Sequence, residues 1–486
     1  MPEILSNRRT YDGLTRRDLL RNGALAATGS CIAATAQASA AAAPSSPDGF
    51  GKAKRCILIY LWGSPSQLET FDPKPDAPVE VRGEFQSIAS ALPGVRIGEI
   101  LPRIAALLNR VTILRSLSHD HPIHGTAFAT TAVPTTDLQL EGNIRDPRHW
   151  PFVGSVVDYL CEKSDSAPPP VPRNFGLPFP IGSKRRLKPG PFAAFLGATY
   201  DPTWSEFRSP GTREVLRDSG APDVPTKVIA DPYLGILPAD RFESTAGDER
   251  VSSDQLHGRL SLLDQLERPA LGSATFERHR RVARSLLTSR RLHDALDVQR
   301  EPPNERKRYG MNLFGQSCLA ARRLLEAGGK FVTVCWDEYG LVNTGWDTHI
   351  HMRSRLRNEL GPGLDNAFSA LLEDLDARGL LDETALVVLS EHGRTPKVQS
   401  VSEGGRDHWS RAYSALFAGG GFARGRVVGA TDRMAGEVTD LPFSPKDIVA
   451  TVLYVLGIDP QTEIHDQFGR PFAVGGEGRV RAELLL

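Results

Sequence analysis

Three strand-length stretches of this chain are apolar almost without interruption, and that feature restricts its fold more than any other. They are Cys56-Ile57-Leu58-Ile59-Tyr60-Leu61-Trp62, Phe331-Val332-Thr333-Val334-Cys335-Trp336 and Thr384-Ala385-Leu386-Val387-Val388-Leu389. A strand with one wet face alternates apolar and polar residues; a strand that does not alternate needs cover on both faces. Further strands are expected at 111–117 and 413–418. Helical patterns stand between them, at 152–161, 311–327 and 354–378. The last carries Leu364, Phe368, Leu371, Leu372 and Leu375 at helix spacing. A final helix is expected at 445–456, with Ser444 as its N-cap and Gly457 as its stop. Strands alternating with helices predict an α/β fold with a mostly parallel central sheet and helices on both faces.

The pattern breaks between 164 and 310. Proline and basic residues crowd the chain to 191, and irregular loops and charged helical patterns at 253–299 follow. This region reads as an inserted, partly helical cap, leaving core segments at 55–163 and 311–476 and a tail at 477–486. The N-terminus has a different purpose. Thr15-Arg16-Arg17-Asp18-Leu19-Leu20 precedes a mildly apolar run at 23–36, and Ala36-Gln37-Ala38 or Ala38-Ser39-Ala40 offers a cleavage site. Residues 1–43 therefore read as a twin-arginine signal peptide, followed by a linker at 44–54. That route carries folded proteins, often with a cofactor already bound, to the periplasm or the exterior. The apolar run is too short to span a bilayer, and no later one is longer, so no membrane-spanning segment is expected in the mature chain. Lys and Arg together number 58, as do Asp and Glu. That balance speaks against a nucleic-acid or anionic-membrane partner. Cys56, Cys161, Cys318 and Cys335 are widely spaced and form no C-x-x-C pair; Cys56 and Cys335 sit in strand-like runs and read as buried free thiols, with a disulfide in an oxidising compartment as the other reading.

Three clusters join acids to histidines near strand ends. They are Gly345-Trp346-Asp347-Thr348-His349-Ile350-His351, Ser390-Glu391-His392-Gly393-Arg394 and Gly404-Gly405-Arg406-Asp407-His408-Trp409. In open α/β sheets, ligands gather at the carboxyl ends of strands, so these turns can converge. Imidazole nitrogen and carboxylate oxygen suit a divalent ion such as zinc, manganese or calcium. Asp347, His349, Glu391, His392 and His408 are the candidate ligands, with His351 as an alternative to His349. Each cluster alone also fits a surface pair or a helix cap. A fourth cluster, His119-Asp120-His121-Pro122-Ile123-His124-Gly125-Thr126, follows a strand and opens a short helix expected at 125–132. His124 there, with Arg394 and Arg406, is a candidate for holding an anionic group. Ser118 and Thr126 are candidate nucleophiles, and a polar loop without chemistry is the other reading. The chain has no phosphate-binding G-x-x-x-x-G-K-[ST] loop and no G-x-S-x-G elbow.

Longer strings carry a family resemblance. Leu61-Trp62-Gly63-Ser64-Pro65-Ser66, Thr70-Phe71-Asp72-Pro73-Lys74-Pro75, Arg82-Gly83-Glu84-Phe85, Gly345 to His349, Gly393-Arg394-Thr395-Pro396 and Gly405 to Trp409 resemble a bacterial family, the domain of unknown function 1501. The family is similar to a distant branch of the alkaline phosphatase and sulfatase superfamily. The resemblance implies a central sheet with helices on both faces and two metal sites at its carboxyl edge. It implies that Asp347 with His349 or His351, the pair Glu391-His392, and His408 are the metal ligands. Glu391 stands where the superfamily has Asp, and the first expected strand, 56–62, ends at Trp62-Gly63 where an Asp is usual. The expected function is an exported metal-dependent hydrolase of a small anionic ester, phosphate or sulfate. The alternatives are a non-catalytic or single-metal binding protein on the same scaffold, and a metal-free esterase using Ser64 or Ser66 with His408.

Overall fold

The central sheet of the computed structural model is made of eight strands: β1 (Arg55–Leu61), β2 (Thr112–Leu117), β3 (Asn174–Leu177), β4 (Thr203–Trp204), β5 (Phe331–Trp336), β6 (Thr384–Leu389), β7 (Tyr413–Ala418) and β8 (Arg426–Val428). Their spatial order is β8-β2-β7-β6-β1-β5-β3-β4. All neighbours are parallel except β7, which runs against both β6 and β2. The structure describes residues 48–121, 124–132, 143–144, 146, 148–220, 223–243 and 274–486. The expected signal at 1–43, the start of the linker and the stretch 244–273 lie outside the described residues.

The lack of alternation in β1 has the consequence drawn from sequence. Ile57, Ile59 and Leu61 point to one face and Cys56, Leu58, Tyr60 and Trp62 to the other, and all are buried. Five helices frame the core: α1 (Thr126–Thr130), α2 (Val153–Ser164), α3 (Leu313–Ala327), α4 (Gly361–Ala377) and α5 (Pro445–Val455). Phe314 and Leu319 of α3 and Leu364 and Leu371 of α4 cover the first face. Val153 and Val156 of α2 and Ile448 and Leu453 of α5 cover the second. The hydrophobic effect thus acts on both sides of each central strand. The helix expected at 354–378 is broken into Met352–Arg355, a π turn at Leu356–Leu360, and α4. Pro362, near the start of α4, explains the break: it lacks an N–H and its ring crowds the preceding turn.

The region expected as a cap does more than cap. β3 and β4 lie within 164–310 and extend the sheet beyond β5. They are four and two residues long, too short for an apolar run to announce them. A hairpin from the same region, Glu214–Arg217 with Lys227–Ala230, lies against the loop after β5. The Asn343 side chain donates to the Ser219 carbonyl, and Arg217 pairs with Glu359 at 3.0 Å. Among the described residues Cys56, Cys161, Cys318 and Cys335 are free; Cys56, Cys318 and Cys335 are buried, and burial pushes these three thiols up.

The C-terminal tail expected at 477–486 packs against the core at its end. Leu484 and Leu485 are buried, and Leu485 forms a β-bridge with Phe422. Asp447, in the first turn of α5, ties the tail down. Its carboxylate accepts the Ser444 N–H, closing the capping box, and the Arg479 N–H at 2.9 Å, and pairs with Arg481 at 3.1 Å. Asp447→Ala should therefore cost about 1–3 kcal/mol of unfolding free energy. Urea titration checks this, and an unchanged midpoint would show that the tail contributes nothing.

Candidate metal centre

Each segment that builds the centre reaches the carboxyl edge of the sheet for a reason of topology. β1 exits into Trp62-Gly63, β6 into Ser390-Glu391-His392, and β2 toward His119 and His124. Asp347 and His349 lie in the loop after β5. β7 is antiparallel, so its entrance lies at this same edge, and His408 precedes it. His408 and Trp409 pair with Gly393 and Arg394 in a short antiparallel ladder, which fixes the His408 segment beside the β6 exit.

Three ligand-type atoms meet in a triangle. Asp347 Oδ1 lies 3.1 Å from His349 Nε2 and 3.4 Å from His408 Nε2, and the two imidazole nitrogens are 3.0 Å apart. Ligands about 2.0–2.1 Å from a tetrahedral ion stand about 3.3 Å from one another, so this spacing fits such an ion. His349 Nδ1 faces Asp407 Oδ1 at 2.8 Å. A carboxylate only accepts, so Nδ1 carries the proton and Nε2 presents its lone pair to the triangle. His124 closes the group, with Nε2 3.2 Å from Asp347 Oδ2 and Nδ1 2.8 Å from Glu391 Oε1. Its ring stacks on Trp62, with centroids 4.9 Å apart. Burial opposes charge on His124, but Asp347 and Glu391 outweigh it and raise the imidazole to about 9.

His124, Glu391 and His392 form a second group whose ligand-type atoms lie within 4.8 Å of one another. Glu391 Oε1 accepts from Gly63 N–H at 2.8 Å, while Oε2 is buried with no hydrogen-bond partner among the described residues. His392 Nδ1 donates to the Gly393 carbonyl, which leaves Nε2 as a buried lone pair, also without a partner. Buried orphans of this kind are expensive unless something satisfies them. The donor set and these orphans together suit a divalent cation.

The arginines are wholly buried. Arg394 donates to the carbonyls of Gly63, Ser64 and Arg406 and pairs with Asp347 Oδ1. Burial pushes the Asp347 carboxyl up, and Arg394 with His124 more than reverses this, holding it well below the usual range. Arg406 pairs with Glu69 through Nε and Nη2 and donates to the carbonyls of Val81, Thr395 and Pro396. Neither guanidinium faces solvent; their donors hold protein groups in place. Gly63, φ +89°, lies so close to Asp347 that a Cβ there would sit 2.2 Å from its backbone nitrogen.

The other sequence candidates fall as follows. His351 is turned toward Glu403, 3.9 Å away, and stands outside the group; His349 is inside it. Thr126 is buried, its hydroxyl beside that of Tyr60. Ser118 is half-buried at the β2 exit, with its N–H bonded to the Phe443 carbonyl. Ser64 Oγ accepts the His392 N–H at 3.1 Å, and Ser66 Oγ is buried. Sequence reasoning gave His124 a substrate-binding role; the structure puts it in both ligand groups. It missed Gln67, whose side chain bonds both the N–H and the carbonyl of Arg394. It also missed Glu69, and Asp407 as the orienter of His349. The acid-to-histidine spacing in Asp407-His408 was the one available signal, and it points to the neighbouring histidine.

Residues 53–485 match a family model described as a protein of unknown function, DUF1501. The chain belongs to this family. A search of curated proteins finds no match for the DUF1501 chain. Among solved structures it is similar to a sulfatase from Pseudoalteromonas sp., at 12% identity and a TM-score of 0.38, covering 90% of this chain and 73% of that one. It is similar to a phosphonate monoester hydrolase from Silicibacter pomeroyi, at 11% identity and 0.35, covering 83% and 73%. A protein in the alkaline phosphatase superfamily from Vibrio parahaemolyticus follows at 12% and 0.34, covering 88% and 70%. Superpositions this loose assign no residue a role.

Asp407 gives the DUF1501 centre a clean test, because its side chain is 52% exposed and carries little of the fold. Asp407→Ala should weaken divalent-ion binding about 10- to 100-fold by releasing the His349 tautomer, with the melting temperature of the ion-free chain unchanged. Competition against a chelating dye reads the affinity; equal affinities would show that His349 is not a ligand.

Proposed function

We propose that the DUF1501 chain is an exported, metal-dependent hydrolase of phosphate or sulfate esters. The observation that carries this reading is the triangle of Asp347 Oδ1, His349 Nε2 and His408 Nε2, drawn from segments that only the folded sheet brings together. These three residues, with His124, would hold the ion, and Glu391 with His392 would hold a second. A divalent ion supplies Lewis-acid polarisation of a phosphoryl or sulfuryl oxygen. Asp347 is kept ionised for ligation by Arg394, and Arg406 with Glu69 fixes the turn that presents His408. Both arginines act on the reaction through the ligands they position. The ester would approach from the imidazole side, where His349 and His408 side chains are each 24% exposed while Asp347 is 2% exposed. Ser118 and Thr126, on either side of the histidine turn, are the hydroxyls proposed for the attack; water is the other source.

A metal-binding protein without turnover is the second reading. The burial of Thr126 favours it, as does the exit of β1 into Trp62-Gly63 in place of a carboxylate. Elemental analysis of the purified chain, beside a screen of phospho- and sulfo-esters, separates the two. The hydrolase reading expects bound divalent metal, activity lost to chelators and restored by metal, and loss of both metal and activity in Asp347→Asn and His408→Ala. A chain that carries metal and cleaves nothing fits the second reading. A chain without metal, indifferent to chelators, overturns both.

Export is part of the proposal. Arg16 and Arg17 before the apolar run at 23–36 support the twin-arginine route. Among the described residues no helix is long and apolar enough to cross a membrane. Changing Arg16 and Arg17 together to Lys should leave the uncut precursor in the cytoplasm, as read by fractionation and N-terminal sequencing. Unaltered export would sink the assignment.

A further inference from the structure

Lys184-Arg185-Arg186-Leu187-Lys188 sets four cations in five positions, in the region expected as a cap. A run like this is ordinarily a solvated surface. Here both of its ends are pinned to elements of the candidate centre. At one end the Gly182 N–H donates to Asp337 Oδ2 at 2.5 Å, and Arg185 pairs with Glu338 at 3.0 Å. Asp337 and Glu338 directly follow β5, on the path to Asp347. At the other end Gly190, φ +122°, lies on the start of α1, directly after His124 and Gly125. A Cβ at Gly190 would sit 2.5 Å from the Ala127 nitrogen, so backbone rests on backbone there.

Between the two anchors, Lys188 Nζ stands 4.7 Å from the centroid of the Trp62 ring. The Trp62 ring in turn stacks 4.9 Å from that of His124. The ammonium is therefore no farther from the His124 ring than those two legs laid end to end. That is within reach of the far end of a small ester. Arg185 is matched by Glu338, and Lys184 lies over the Phe179 ring at 4.8 Å. Lys188 makes no ion pair among the described residues, and its half-buried setting on an indole strengthens its hold on an anion.

We infer that the loop from Gly182 to Gly190 is an anion-reading rim of the centre, and that the substrate carries a second anionic group which Lys188 receives. This rests on the hydrolase reading and narrows its substrate class to esters with at least two anionic groups. A lysine suits the task because a compact point charge accepts an anion from many directions, whereas a guanidinium imposes a planar fork. The competing role for Lys188 is structural, as a positive charge near the buried Asp337 carboxyl, which burial pushes up to about 7. Removal would then change stability and leave discrimination alone.

The test measures binding by calorimetry on the full, metal-loaded chain, with fructose 1,6-bisphosphate against fructose 6-phosphate. The wild-type chain should prefer the bisphosphate roughly tenfold, the scale of one part-desolvated charge pair. Lys188→Ala and Lys188→Gln should bring that ratio close to one, with affinity for the monophosphate and the melting temperature unchanged. Lys188→Arg should keep part of it. A wild-type ratio near one, a ratio that survives in both variants, or an equal fall in both affinities overturns the rim. The readout needs no turnover, so the two readings fail separately. Esters cleaved with an unaltered ratio retire the rim alone; a Lys188-dependent ratio with no ester cleaved retires the hydrolase alone.

Discussion

One buried charge pair underlies the rest of the centre: the Asp347 carboxylate against the Arg394 guanidinium, neither with appreciable access to water. Taking two charges out of solvent costs several kcal/mol per ion unless every remaining donor is used. Arg394 uses its donors on the carbonyls of Gly63, Ser64 and Arg406, so a single side chain links the exit of β1, the exit of β6 and the segment before β7. Glu69 and Arg406 repeat the device one turn away, tying the loop after β1 to the same segment. Such pairs are weak devices for stability and strong ones for geometry. Here they hold a carboxylate ionised and aimed among three imidazoles.

Much of this was legible in the sequence, for reasons that can be named. Uninterrupted apolar runs at β1, β5 and β6 required cover on both faces, and the two-sided core follows from that. Acids and histidines next to strand ends marked Asp347, His349, Glu391, His392 and His408, because parallel strands deliver their C-terminal turns to one edge. β3 and β4 escaped notice because strands of four and two residues, the first in a proline-rich stretch, leave no periodic trace. For Arg394 and Arg406 a structural salt bridge stood beside anion binding as a reading of the sequence, but their partners were hidden because burial is not written locally. Glu69 and Arg406 are 337 positions apart, and nothing near either announces the other. His124 was singled out without its partners, Asp347 and Glu391, because an imidazole's partners depend on which loops fold over it.

The antiparallel β7 is a small departure with a large effect. In an all-parallel sheet the residue before a strand lies at the amino edge, away from ligand. Reversing one strand brings its entrance to the carboxyl edge, and His408 arrives beside His349 without a long crossover. The ladder of His408 and Trp409 with Gly393 and Arg394 then sets the depth at which the imidazole projects. The family match spans this whole arrangement, from Ala53 to Leu485, so the reversed strand lies inside the matched unit.

The scatter of the ligands along the chain has a consequence for how the protein would acquire its ion. His349 and His408 lie 59 positions apart and His124 stands 223 positions from Asp347, so no single turn holds the full set. An emerging chain would present only local pairs such as Asp347 with His349; the full set would form once the sheet has closed. If passage out of the cell is by a translocon that accepts finished molecules, the cytoplasmic metal pool is the one sampled. The identity of the ion would then be decided by where the polypeptide matures, and not by where it works.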